Sequence, residues 1–347
     1  EAEFGLLTPR EASLRTGQGE ALGRALGWDV SMLVQATSFL EAVDSRKGLT
    51  KYDGVVDARA YWQAVASLGL SPTALERLAE CPFRYFASRM LDLERLEEPE
   101  AQDALAPVEI GQIYHDVLER FHRDGDLEKR LDETFAEFET SRSIRYPVLW
   151  EVEKGRIRRL IRTFVEQDDL SFFKPKEYEL KLEAELPFEV AGRKTVKFRG
   201  FVDRLDVAKD GSFRVVDYKK SRKKYGWIME TGVLEKVRYL QPPIYFMLAS
   251  RVLKQTDTDR SQFAYYFIEE VPGGERKRWE MALTGEMWEE RYEEFEARFR
   301  ELLGTIPKGE FAIRPGESYC RSCEFATMCR KSHWPTRLRA EGDHEAL

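Results

Sequence analysis

Apolar residues keep a helical period through the first half of this chain and change to a period of two from Tyr178 onward. Residues 21–27 and 31–42 read as short helices, and Tyr52-Asp53-Gly54 as a turn. Ser71-Pro72 opens a stronger helix, with serine at the N-cap, proline at the first helical position and Glu76 soon after. That helix runs through Leu75 and Leu78 to about Cys81, where Pro82 ends or kinks it and Phe83 and Phe86 add an apolar turn. An acidic linker at 94–103 precedes a helix over 108–122 with Ile113, Val117 and Phe121 as its buried stripe and His115 on the flank. Amphipathic helices follow over 127–140 and 149–166, then strands at 178–190, 194–207 and 213–219. Leu240-Gln241-Pro242-Pro243 starts a helix on which Gln241 and Tyr245, four apart, share a face. Strands at 262–269 and 277–283 and a long helix at 286–303 complete the order. The sum is an α/β domain with a central mixed sheet flanked by helices.

The stretch 200–219, G-F-V-D-R-L-D-V-A-K-D-G-S-F-R-V-V-D-Y-K, is a hairpin turning at Asp210-Gly211. Alternation places Phe213, Val215, Asp217 and Lys219 on one face of its second arm, and Asp203 on the first arm offers a second carboxylate. Two carboxylates and a lysine at the end of an apolar strand suit metal-dependent phosphodiester cleavage. The acids hold a hard divalent cation, which polarises phosphate and activates water, and the lysine steadies developing negative charge. The bland reading is an ordinary Asp/Lys pair on a surface hairpin.

Composition sharpens this in a few places. With 42% hydrophobic residues and 12% aromatic ones, the 347 residues suffice for a core in one elaborated domain or two. No apolar run reaches the roughly 18 residues of a membrane span. The net charge of −7 weighs only weakly against a nucleic-acid partner. Arg214, Lys219, Lys220, Arg222, Lys223 and Lys224 stand against the single acid Asp217 in the stretch 214–224. Lys154, Arg156, Arg158, Arg159 and Arg162 form a second basic face, either phosphate-contacting or simply solvated. The lack of asparagine beside abundant arginine and glutamate fits a heat-adapted source or a biased genome. A first residue of glutamate rather than methionine, with no apolar signal segment, reads as a fragment or a processed product.

The four cysteines fall in two places: Cys81 alone, and Cys320, Cys323 and Cys329 as C-x2-C-x5-C. Without a secretory signal, disulfides are the poorer explanation, and four thiolates are the donor set of a zinc ion or an iron–sulfur cluster. Spacing alone does not choose between those two.

Six motifs occur in order: C-P-F-R-Y-F at 81–86, G-Q-I-Y-H at 111–115, G-F-V-D-R-L-D at 200–206, V-V-D-Y-K at 215–219, Q-P-P-I-Y at 241–245 and the terminal C-x2-C-x5-C. Together they resemble the PD-(D/E)XK nucleases of the RecB type, nearest to the iron–sulfur nuclease domain at the C-terminus of AddB-type helicase–nuclease subunits. The resemblance covers about residues 71–330. It implies a restriction-endonuclease-like core, stapled by a four-cysteine metal cluster. It implies His115, Asp203, Asp217 and the Tyr218 carbonyl as ligands of Mg²⁺ or Mn²⁺, with Asp203, Asp217 and Lys219 as the catalytic residues. It also implies Gln241 and Tyr245 as substrate-facing residues, and Cys81, Cys320, Cys323 and Cys329 as ligands of a [4Fe–4S] cluster, with zinc the less favoured occupant. Arg204 and Asp206 belong to the motif and read as a structural ion pair. Where the family often continues with a small residue and glycine after D-Y-K, this chain has Lys220-Ser221-Arg222-Lys223-Lys224, so the family's strand contacts do not carry over there; Lys220 and Arg222 are expected to bind substrate as part of the basic run.

The expected organisation is a helical leader over 1–70, ending a preceding domain, a nuclease domain over 71–335 and a tail over 336–347. The expected function is a Mg²⁺- or Mn²⁺-dependent DNA exonuclease, cytoplasmic, with no membrane partner. It would act on single-stranded DNA at a duplex end beside a helicase subunit, or a helicase region of the same longer chain, in double-strand-break processing. The alternatives are a free-standing iron–sulfur single-strand exonuclease and a non-cleaving DNA-end-binding module. No G-x-x-x-x-G-K-[ST] loop is present, so any ATP-driven unwinding lies elsewhere.

Overall fold

The structure is a computed structural model, and it describes residues 21, 25, 31–44, 48–94, 107–142, 144, 146–222, 239–273 and 280–341. Most of the predicted helix at 21–27, most of the acidic linker at 94–103, Lys223, Lys224 and the end of the tail lie outside the described residues. In chain order the longer helices are α1 (Ser31–Asp44), α2 (Arg59–Leu68), α3 (Pro72–Glu80), α4 (Pro107–Asp124), α5 (Leu127–Ser141), α6 (Pro147–Gln167), α7 (Gln241–Leu253), α8 (Gly285–Lys308) and α9 (Trp334–Glu341). The strands are β1 (Lys174–Leu186), β2 (Val196–Val207), β3 (Phe213–Lys219), β4 (Gln262–Phe267) and β5 (Glu280–Thr284). The chain divides into two compact units. One gathers Glu1–Trp62, Glu80–Arg95 and Thr305–Leu347; the other comprises Gln63–Ala79 and Leu96–Gly304.

The larger unit is built on one mixed sheet in the order β1-β2-β3-β4-β5, antiparallel throughout except between β3 and β4. That parallel pair is joined through α7, since parallel neighbours need a long crossover where antiparallel ones need only a turn. β3 lies in the middle and is covered on both sides, so every residue from Phe213 to Tyr218 is buried. On one side Phe213 packs on Phe246 of α7, ring centroids 5.3 Å apart. On the other, Val216 and Tyr218 join a cluster with Ile113, Val117, Leu131, Trp150, Ile161 and Phe164 from α4, α5 and α6. The stripe of α4 is Ile110, Ile113, Tyr114, Val117 and Leu118, with Phe121 only partly covered. Strand β1 begins four residues before the predicted start. As an edge strand it tolerates Pro175, and its register shifts between Pro175 and Glu177. It stops at Leu186, before Pro187.

Burial on both sides of β3 includes Arg214, which alternation alone would put in solvent. Arg204 and Arg214 share the carboxylates of Asp206 and Asp168: Arg204 Nε lies 2.9 Å from Asp206, its Nη1 2.6 Å from Asp168, and Arg214 Nη2 2.6 Å from Asp206. Two cations and two anions balance, which removes the large cost of an unpaired buried charge. The predicted Arg204/Asp206 ion pair is present within this four-member network, and Arg214 belongs to it rather than to a DNA-facing run.

The smaller unit has its own long-range ties. Arg339 of α9 donates to both carboxylate oxygens of Asp53 at 3.0 and 2.8 Å and to the Val43 carbonyl at 2.7 Å. Asp53 also closes a capping box with Thr50. Gly54 takes the left-handed conformation, φ +92°, where a side chain would collide with the Phe311 carbonyl.

Candidate active site

The site forms where β2 and β3 run side by side under the flank of α4. The last pair of this ladder is Arg204↔Val216, which puts Asp203 next to Asp217 just beyond it. Asp203 Oδ2 accepts from the Tyr218 amide at 2.5 Å, and its Oδ1 lies 3.2 Å from His115 Nδ1. The other ring nitrogen of His115 is 3.0 Å from the Tyr218 carbonyl. Tyr218 is thus gripped through its peptide on the site side. Its hydroxyl accepts from Arg204 at 3.0 Å on the far side and lies 3.3 Å from His122 Nε2. Burial alone would lower the His115 pKa, but the Asp203 carboxylate, with Asp217 behind it, raises it to about 9.

Asp217 is 5% exposed and forms an ion pair with Lys219. Burial pushes its carboxyl up to about 6 against the pull of the lysine, with Asp203 adding repulsion. Lys219 lies 5.4 Å above the ring of Tyr265, the residue paired with Asp217 on β4.

Sequence reasoning missed Glu179. It falls between the β1–β2 pairs Tyr178↔Arg204 and Leu180↔Val202, opposite Asp203, and has φ +44°. A non-glycine residue in that region in mid-strand is uncommon and costs free energy. One ligand atom each from His115, Glu179 and Asp203 come within 4.8 Å of one another. Burial and then Asp203 push the Glu179 carboxyl to about 7. A glutamate in alternating Y-E-L-K-L-E carries no signal of its own; only the register opposite Asp203 singles it out.

Gln241 and Tyr245 lie in the first turns of α7, as predicted. The Tyr245 ring lies on β2 at Gly200, where an added Cβ would meet its Cε1 at 2.5 Å and its hydroxyl at 2.7 Å. The glycine that opens G-F-V-D is required by this close approach. The first amides of α7 are already engaged within the protein. The Glu76 carboxylate accepts from the Leu240 and Gln241 amides at 2.9 and 3.2 Å, and Pro242 and Pro243 have no N–H to offer.

The basic surface is also more neutralised than the sequence suggests. Lys220 lies 3.7 Å from Glu269, the Arg222 amide donates to Glu270, and Arg156 pairs with both Glu153 and Glu269. Lys154, Arg158 and Arg162 of α6 pair with Glu139, Asp132 and Glu128. That face of α6 is therefore a solvated, ion-paired one.

In the smaller unit, Cys81, Cys320, Cys323 and Cys329 are free thiols lining one pocket together with Phe83, Arg84 and Ile313. The Arg314 amide donates to Cys81 Sγ at 3.4 Å and the Gly316 amide to Cys320 Sγ at 3.3 Å. Burial raises the thiol pKa of Cys323 and Cys329, and the charge of the other three thiols raises Cys329 further.

Comparison with known proteins agrees with this geometry. The family model of the PD-(D/E)XK nuclease superfamily matches residues 69–330. An ATP-dependent helicase/deoxyribonuclease subunit of Alkaliphilus oremlandii is 23% identical over 367 residues, covering 81% of this chain and 31% of that protein. Subunits of the same name from Clostridium tetani and Natranaerobius thermophilus are 26% and 29% identical, over 51% and 55% of this chain and 18% of each relative. The chain thus spans less than a third of the length of these relatives. With a mixed sheet that sets an aspartate, a D-Y-K strand end and a helical histidine side by side, and a family match over most of its length, the chain belongs to the PD-(D/E)XK nuclease superfamily.

Proposed function

We propose that this chain is a divalent-cation-dependent DNA exonuclease, the nuclease part of a cytoplasmic helicase–nuclease that processes double-strand breaks. The observation that carries the reading is the convergence of His115, Asp203 and Glu179 beside the Asp217–Lys219 pair. Three carboxylates, an imidazole and the Tyr218 carbonyl are mostly hard oxygen donors, the set that suits Mg²⁺ or Mn²⁺. A cation bound there would polarise the scissile phosphate and lower the pKa of water.

The chain's own residues do the rest. Asp203 and Asp217 hold negative charge where the cation is needed, and the Asp203 carboxylate fixes the Tyr218 peptide. His115 has both ring nitrogens engaged and carries a proton at neutral pH, which it releases when it becomes a ligand. Lys219, held between Asp217 and the Tyr265 ring, stands ready to stabilise charge developing on the phosphate. DNA as substrate and a helicase as companion rest on the names of the relatives, and the preference for a strand end is part of the proposal. The four thiols suit a [4Fe–4S] cluster by donor type, and the two N–H···S bonds are of the kind that would support its ligands.

The test is digestion of end-labelled single- and double-stranded DNA with Mg²⁺ and with a chelator. Wild type should shorten labelled strands only with the metal, and Asp217→Ala and Lys219→Ala should each abolish this while leaving the circular dichroism spectrum unchanged. Full cleavage by both variants would overturn the reading, and strand binding without cleavage by wild type would favour the end-binding module.

A further inference from the structure

We infer that Tyr265 and Glu76 are positioning residues that orient Gln241 so that its side-chain amide N–H₂ faces the DNA and donates to a phosphodiester oxygen. This deepens the proposed nuclease reading and rests on it. The argument begins with how Gln241 is held. Its backbone amide donates to Glu76 Oε1 at 3.2 Å, and the preceding Leu240 amide donates to the same oxygen at 2.9 Å. One carboxylate therefore fixes the first turn of α7 in place of the N-cap side chain that Leu240 does not supply. The side chain is held separately: the Tyr265 hydroxyl donates to Gln241 Oε1 at 3.0 Å.

A carboxamide has one acceptor end and one donor end. With the acceptor end taken by Tyr265, the end left to meet a ligand is the N–H₂, so the ligand atom must be an acceptor. Tyr265 is 1% exposed and its ring lies 5.4 Å beneath the Lys219 ammonium. The same side chain thus touches both the catalytic lysine and the glutamine side chain. Glu76, Gln241, Tyr265, Lys219 and Asp217 form one continuous chain of contacts. Two neighbouring donors, one charged and one neutral, match the oxygens of a phosphodiester, which repeats along a strand whatever its bases. A base edge is the competing source of acceptors, and it would make binding depend on sequence.

The experiment measures binding of labelled dT and dA homopolymers by anisotropy in Ca²⁺, together with KM and kcat for their digestion in Mg²⁺. Tyr265→Phe keeps the ring under Lys219 and removes only the hydroxyl. It should weaken binding and raise KM by about tenfold on both polymers, the scale of one hydrogen bond to a charged group, with kcat and the melting midpoint little changed. Gln241→Glu, which replaces the donor by a negative charge, should lose more than Gln241→Ala. Glu76→Gln, which keeps an acceptor for the two amides, should bind far better than Glu76→Ala. Wild-type affinity in Tyr265→Phe, a loss confined to one homopolymer, or equal loss in Glu76→Gln and Glu76→Ala would overturn the inference. If the wild type binds in Ca²⁺ but never digests in Mg²⁺, the nuclease reading fails while the binding comparison still decides the orientation of Gln241.

Discussion

At the scale of single residues, the site depends on close approaches that one atom can spoil. Gly200→Ala would place a methyl 2.5 Å from the Tyr245 ring, which has 5% of its surface exposed and little room to retreat. Overpacking of this kind costs about 1–3 kcal/mol. The expected outcome is a lowered denaturation midpoint and weaker strand digestion, both read on the same preparation; an unchanged digestion rate would show that Tyr245 does not serve the site. His122 offers a separate, pH-based check. Burial, then the charge of Arg204, lower its pKa from 6.5 to about 3, and its ring stacks on Tyr178 at 5.5 Å. Between those two values the unfolded chain takes up a proton that the folded chain refuses, so stability falls as the pH drops through that window and is unaffected above it. His115, raised to about 9, acts with the opposite sign and in another range: its contribution is complete below 6.5 and fades as the pH rises toward 9. Urea midpoints between pH 7.5 and 4.5 should therefore fall more steeply for wild type than for His122→Gln, which keeps an acceptor for Arg204 but does not titrate. Parallel curves would mean that His122 is solvated.

At the scale of elements, what alternation could reveal was the side of the sheet, and what it could not reveal was the partner. The hairpin at 200–219, its turn and the face shared by Asp217 and Lys219 were legible because period and turn chemistry are local properties. Strand β3 emerged with the predicted bounds for the same reason. Glu179, Tyr265 and Glu76 were not legible, since each is brought to the site by a register or a helix contact from 24 or more residues away. Arg214 was misread because a buried arginine looks like a solvated one until Asp206 and Asp168 are placed beside it. That network makes a strong prediction about β2 and β3. Asp206→Ala leaves two buried guanidinium groups short of a partner and should cost about 3–5 kcal/mol, whereas Glu137→Ala, which removes an exposed, solvent-screened partner of Arg120, should change stability far less. Urea unfolding of the two variants side by side reads the difference, and similar small losses would show the network to be hydrated.

At the scale of the whole molecule, the smaller unit is assembled from stretches far apart in sequence, and such units depend on what ties them. Its described protein contacts include the buried Asp53–Arg339 pair and the stacking of Tyr85 and Phe86 on Phe311. A group bound by Cys81 and the three C-terminal thiols would add a tie between segments more than 200 residues apart. By the chain-entropy estimate for a cross-link of that span, the tie constrains the unfolded chain by roughly 5 kcal/mol. Anaerobically prepared protein should then be brown, with iron and sulfide in equal amounts. Cys323→Ser should bleach it, and trypsin should cut it first within 305–347, where wild type resists. A colourless preparation carrying zinc would keep the tie and change its chemistry. A metal-free preparation as resistant to trypsin as Cys323→Ser would remove the tie altogether, leaving Asp53–Arg339 and the Phe311 stack to hold the C-terminal segment.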